Sequence, residues 1–157
     1  MLYRLRLTLI AISLLVLTGC AADRASLDDD SPQSAAASAS ASIHWLLELE
    51  LNPERVADFK VLMSEMVALA ETQPGTLAYE WYFNEDNSRC IINERYRDST
   101  ALIDHMAASG PYAERFLVAA TISRLTILGD IDTVTRAALE ALQPSYLSLA
   151  EGFSRVQ

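Results

Sequence analysis

An α+β domain of the split βαβ kind is predicted by three features of this 157-residue sequence. Apolar–polar alternation marks four strands, at 43–51, 76–83, 89–97 and 122–128. Apolar residues at 3–4 residue spacing mark helices between the first and second strands and between the third and fourth. A polar turn, Asn84-Glu85-Asp86-Asn87-Ser88, joins the middle strands directly as a hairpin. The order strand, helix, strand, strand, helix, strand is that of the ferredoxin-like arrangement.

The first strand, IHWLLELEL over Ile43–Leu51, places Trp45, Leu47, Leu49 and Leu51 on one face. Asn52-Pro53-Glu54 then supplies an N-cap, a proline at the first helical position and an acid in the first turn. The helix carries Val56, Phe59, Leu62, Met63, Met66 and Val67 toward a sheet and is expected to end near Gln73, because Pro74-Gly75 is a turn signal. In the second strand Leu77, Tyr79, Trp81 and Phe83 share a face. In the third, Arg89, Ile91, Asn93 and Arg95 alternate with Cys90, Ile92, Glu94 and Tyr96.

Asp98 or Ser99 caps the next helix, which carries Ala101, Leu102, Ile103, Met106 and Ala107 and ends at Ser109-Gly110-Pro111. A shorter helical piece, Tyr112 to Ala119, leads into the fourth strand. Gly129-Asp130 breaks that strand, Asp132 caps a last helix from Thr133 to Leu142, and Pro144 stops it. The tail from Pro144 onward is apolar enough to dock on the body of the domain.

Ahead of this domain stand two segments of different character. Arg4 and Arg6 precede an apolar run from Leu7 to Leu17, the pattern of a secretory signal. The run is shorter than the roughly 20 apolar residues a membrane-spanning helix requires. Its end, Leu17-Thr18-Gly19-Cys20, resembles the bacterial lipobox. That resemblance implies loss of residues 1–19, acylation of Cys20 and, with Ala21 following, a lipid anchor in the outer membrane facing the periplasm. Residues 20–42, rich in Ser, Ala and Asp, lack the apolar content to fold and read as a disordered linker. The folded domain is expected over 43–157.

Composition excludes some functions. A formal net charge of −9 gives no basic footprint for nucleic acid phosphates. With Cys20 claimed by the leader, Cys90 is left as a lone thiol in an apolar strand, where it acts as a small hydrophobe. No Cys/His set has metal-ligand spacing, and there is no Gly-rich phosphate loop.

Pro74-Gly75-Thr76-Leu77-Ala78-Tyr79-Glu80, then Asn93-Glu94-Arg95-Tyr96-Arg97-Asp98, then His105-Met106, resemble the antibiotic biosynthesis monooxygenase (ABM) domain family. Gly129-Asp130 and Gly152-Phe153-Ser154-Arg155 are similar to its quinol monooxygenase branch. The resemblance implies a homodimeric α+β barrel that oxidises quinols or hydroxylated aromatics with O₂ and uses no metal, flavin or haem cofactor.

Such chemistry needs a base for the phenolic proton, donors for the resulting anion and an apolar wall around the ring. His105 is the candidate base and Glu94 either orients it or acts as the base itself. Tyr79, Trp81 and Tyr96 are candidates for the wall, and Asn93 or Arg95 for the donor. Each also has a structural reading: His105 at the edge of the core, Tyr79 and Trp81 as core or dimer packing, Arg95 as an ion-pair member. Only one sheet face can line a pocket, and the strand patterns leave open whether it carries Tyr79 and Trp81 or Glu80, Glu94 and Tyr96. The alternative function is a non-catalytic envelope module that binds a small apolar ligand or serves as a dimeric structural unit.

Overall fold

The computed structural model describes residues 42–153. The leader, Cys20, all but the last residue of the linker, and Ser154-Arg155 lie outside the described residues. Strands β1 (Ile43–Leu51), β2 (Thr76–Phe83), β3 (Arg89–Tyr96), β4 (Ala120–Leu128) and β5 (Ser145–Leu147) form one sheet in the order β2-β3-β1-β4-β5. Helices α1 (Val56–Glu71), α2 (Ser99–Ser109), α3 (Ala113–Ala119) and α4 (Thr133–Leu139) complete the domain. The first four strands are antiparallel and have the expected ferredoxin-like connectivity.

The central strand β1 buries Ile43, Trp45, Leu47, Leu49 and Leu51, so alternation translates directly into a core face. Helix α1 packs Phe59, Leu62, Met66 and Ala70 into the same core, and Phe59 meets Trp81 and Phe116 at ring-centroid distances of 5.5 and 5.6 Å. Asn52 accepts a hydrogen bond from the Glu54 amide, as a capping residue should, but the first turn, Pro53–Arg55, is a 3-10 turn. Asp98 caps α2 by accepting from the Ala101 amide at 2.9 Å.

The differences from expectation are local. Helix α1 stops at Glu71 rather than Gln73, and the Thr72 hydroxyl donates to the Leu69 carbonyl at the helix end. Strand β3 stops one residue short of Arg97, and β4 begins two residues before Ile122. The last helix ends at Leu139 and tightens into a 3-10 turn over Glu140–Leu142. The tail does more than dock: after Gln143, which adopts a left-handed φ of 49°, Ser145–Leu147 pairs parallel to β4.

The hairpin register determines which side chains share a face. Tyr79 pairs with Glu94, Glu80 with Asn93 and Trp81 with Ile92. Tyr79, Trp81, Glu94 and Tyr96 therefore all lie on the helix-facing side, and Glu80 lies opposite them with Asn93 and Arg95. The two groupings left open by the strand patterns are replaced by this one.

Gly75 makes this layout possible. Its turn lies so close to α2 that an added Cβ would sit 2.5 Å from the Ala101 Cβ, inside contact distance. Its carbonyl accepts from the Arg97 amide at 2.9 Å, tying the end of α1 to the end of β3. The substitution Gly75→Ala is expected to destabilise the domain by about 1–3 kcal/mol. Denaturant unfolding checks this, and an unchanged midpoint would show that the turn has room to move away from α2.

Candidate functional site

The residues singled out on β2, β3 and α2 meet in one buried cluster. Glu94 and Tyr96, two apart on β3, point to the same side, and Tyr79 faces Glu94 across the hairpin. Helix α2 crosses over them and brings His105 down. The His105 ring lies 5.1 Å from that of Tyr79 and 5.4 Å from that of Tyr96, centroid to centroid. Trp81 extends the wall, 5.7 Å from Tyr79. Its buried indole N–H has no partner among the described residues.

Polar contacts within the cluster are specific. The Tyr96 hydroxyl donates to Glu94 Oε2. Glu94 Oε2 also stands 3.7 Å from His105 Nε2. His105 Nδ1 is 2.7 Å from Gln73 Oε1, and Ser109 Oγ is 3.1 Å from Nε2. Neither Gln73 nor Ser109 belongs to a sequence motif that points to chemistry. Ser109 follows His105 by one helical turn, a spacing that brings the two together on one face. Gln73 reaches the site only because of the tight turn at Gly75.

Burial governs the electrostatics. Glu94 and His105 are each only 5% exposed. Loss of hydration pushes the Glu94 carboxyl up to about 8, with the Tyr96 hydrogen bond acting in the other direction. The same desolvation lowers His105 to about 4. At 3.7 Å the two are near enough for an ion pair, but burial opposes both charges. The neutral acid beside the neutral imidazole is the state favoured near pH 7. The Tyr79 and Tyr96 hydroxyls are pushed well above the ordinary phenol range, first by burial and, once Glu94 has ionised at high pH, by its charge, so both remain protonated near neutrality.

The other candidates lie elsewhere. Asn93 is on the opposite face, donating to Glu80 Oε2 at 2.7 Å, and the Tyr82 hydroxyl donates to the same oxygen at 2.9 Å. Arg95 is on that face too, with a buried Nε that has no partner among the described residues. Asn93 and Arg95 therefore stand apart from His105. Cys90 is buried in the core and its thiol is pushed up to about 12, the behaviour of an inert side chain. Among the described residues no three His, Cys, Asp or Glu side chains stand together as metal ligands would.

Residues 42–116 match the antibiotic biosynthesis monooxygenase family. The fold is similar to that of MupZ from Pseudomonas fluorescens, with 21% identity and a TM-score of 0.67 over 73% of this chain and 95% of that one. It is also similar to Rv0793 from Mycobacterium tuberculosis, with 20% identity and a TM-score of 0.51 over 59% of this chain and 97% of the other. SnoaB, a cofactor-independent oxygenase from Streptomyces nogalater, superposes with 16% identity and a TM-score of 0.50 over 60% of this chain and 97% of its own. Likeness at these identities concerns the fold. No curated protein matches the chain.

The two buried groups impose opposite pH dependences on stability. The contribution of Glu94, whose folded value is raised, is fully present below its unfolded value near 4.5 and is lost as pH rises through about 8. That of His105, whose value is lowered, is present above 6.5 and is lost as pH falls through about 4. Together they favour the range between about 4.5 and 6.5. Above pH 6.5 only the Glu94 slope remains, at roughly 1.4 kcal/mol per pH unit. Chemical unfolding of the wild type is therefore expected to become easier from pH 6.5 to 8, while Glu94→Gln shows a flatter profile. Parallel profiles would mean that Glu94 is not held protonated.

Proposed function

We propose that this protein, whose residues 42–116 form an antibiotic biosynthesis monooxygenase domain, is a cofactor-independent monooxygenase of quinol-like or phenolic aromatics. The observation that carries the reading is the buried His105 held against the rings of Tyr79 and Tyr96, with Nε2 toward Ser109 and Glu94. The described fold of SnoaB, a cofactor-independent oxygenase, supports the same class of chemistry.

His105 is the base. It is unprotonated near neutrality, so the Nε2 lone pair is free to take the phenolic proton and leave the electron-rich anion that reduces O₂. Burial weakens it as a base, and the transfer relies on wall donors that hold the phenolate oxygen. Tyr79, Trp81 and Tyr96 form the aromatic wall, and the buried Trp81 N–H, which has no partner among the described residues, is the donor to substrate oxygen once a substrate enters. Glu94, holding its proton up to about pH 8, is the acid that returns a proton to the peroxide oxygen as it departs. For a quinol, one oxygen atom bonds to a ring carbon, the O–O bond breaks and the other atom leaves as water. The products are a hydroxyquinone and one water, and the four electrons that reduce O₂ come from the ring.

Two further properties belong to this proposal. The sheet face opposite the helices exposes Tyr82, Ile91 and Leu147, and a second copy packed there forms the homodimeric barrel. Cys20 carries the lipid that anchors the chain in the bacterial envelope. The second reading, a ligand-binding or structural module, draws on the closure of the cluster, since Glu94 and His105 satisfy each other's neighbourhood with little exposure.

The test uses the full chain extracted from membranes, whose mass also reports acylation of Cys20 and dimerisation. Offered reduced naphthoquinols and anthrones, it is expected to consume O₂ faster than autoxidation, and His105→Ala is expected to lose about 100-fold or more in rate. No turnover across the panel, with ligands still raising the melting temperature, would establish the binding module instead.

A further inference from the structure

The His105 ring has two nitrogens, and only one of them can act as the base. A neutral imidazole carries its proton on either Nδ1 or Nε2, and the hydrogen bond at one nitrogen decides the state of the other. Nε2 is the nitrogen that faces Glu94, at 3.7 Å, and Ser109, at 3.1 Å. Nδ1 faces Gln73 Oε1 at 2.7 Å. The Thr76 hydroxyl also reaches Gln73 Oε1, at 3.2 Å. An amide oxygen has two lone pairs and no hydrogen, so Gln73 Oε1, which already accepts from the Thr76 hydroxyl, can meet Nδ1 only as an acceptor.

We propose that Gln73 is the positioning residue that holds His105 as its Nδ1–H tautomer, so that the Nε2 lone pair is the basic one. The inference rests on the catalytic reading of His105 for its consequence, though not for its geometry. With the proton on Nδ1, the Ser109 hydroxyl donates to Nε2 in the resting protein. A substrate hydroxyl takes the place of Ser109, and its proton moves to the same lone pair. With the proton on Nε2 instead, the ring would present an N–H to the substrate, and no base would face it.

Several independent features converge on Gln73. Helix α1 ends two residues earlier, which releases Gln73 from the helical ladder, although its amide still donates to the Ala70 carbonyl at 3.0 Å. The close approach of Gly75 to Ala101 brings this turn against α2 one turn before His105. The Thr76 amide donates to the Gln73 carbonyl at 3.0 Å, so backbone and side chain of the two residues are bound together. The amide is therefore held from both sides and aimed at the imidazole. A residue that only filled space at this turn would not need such an arrangement.

The chain has only two histidines, so ¹⁵N-histidine labelling of the full chain gives resolvable imidazole signals, and a His44→Gln variant assigns them. In the wild type near pH 7, His105 is expected to show a protonated Nδ1 and an unprotonated Nε2. In Gln73→Leu, which keeps the bulk and removes the acceptor, the proton is expected to redistribute toward Nε2. The kcat for quinol oxidation is then expected to fall about tenfold with KM little changed, as for loss of an interaction that matters only to proton transfer. An Nε2–H signal in the wild type, or an unchanged tautomer in Gln73→Leu, would overturn the proposal. If the wild type shows the Nδ1–H tautomer and Gln73→Leu shifts it, but neither consumes O₂, the catalytic reading fails while the assignment of Gln73 as the tautomer-setting residue stands. Should Gln73→Leu not fold, Gln73→Met, which also lacks the amide oxygen, makes the same comparison.

Discussion

A carboxyl group on the covered side of a β-sheet is costly to hold as an anion, and the domain is built around that cost. Glu94 occupies a position on β3 where Ile92 and Tyr96 on either side are core residues. Its charge could be retained only by a partner as deeply buried, and the nearest, His105, faces the same desolvation. Both groups therefore settle in their uncharged forms, each holding a different proton-transfer capacity. The acid retains a proton and the imidazole retains a lone pair, an assignment of roles that follows from environment alone.

Around this pair the remaining contacts are those needed to keep it aligned. Tyr96 gives Glu94 a donor, Ser109 gives His105 a second polar neighbour, and Gln73 engages the far side of the ring. Aromatic side chains from α1, β2 and α3 complete the surroundings, with Phe59, Trp81 and Phe116 packed at tilted angles rather than stacked. Rigidity at the site thus comes from ordinary core packing, while its polarity comes from a few groups that the backbone places within reach.

Much of the fold was legible because alternation and capping are local signals. Strands β1 and β2 run over the residues their patterns mark, and Asp98 and Asp132 cap helices where those patterns place caps. The relation between strands was not legible in the same way. Each strand pattern divides its own residues between two faces, but the phase between β2 and β3 depends on the turn around Asn87, with its φ of 56°, and on the irregularity between Thr76 and Ala78. That phase unites Tyr79 with Glu94 and puts Asn93 with Glu80. Gln73 and Ser109 were missed for a related reason: each is a common polar residue whose meaning depends on how closely one turn approaches a helix. Strand β5 is three residues long, too short for a period to declare itself.

The claim on which the rest stands is that Glu94 is a protonated acid inside the folded domain. Infrared difference spectroscopy of the wild type against Glu94→Gln addresses it directly, because a protonated carboxylic acid has a carbonyl stretch distinct from carboxylate bands. The account predicts such a band at pH 7, absent from Glu94→Gln and fading as the pH is raised through about 8. A wild-type spectrum with only carboxylate bands at pH 7 would contradict it.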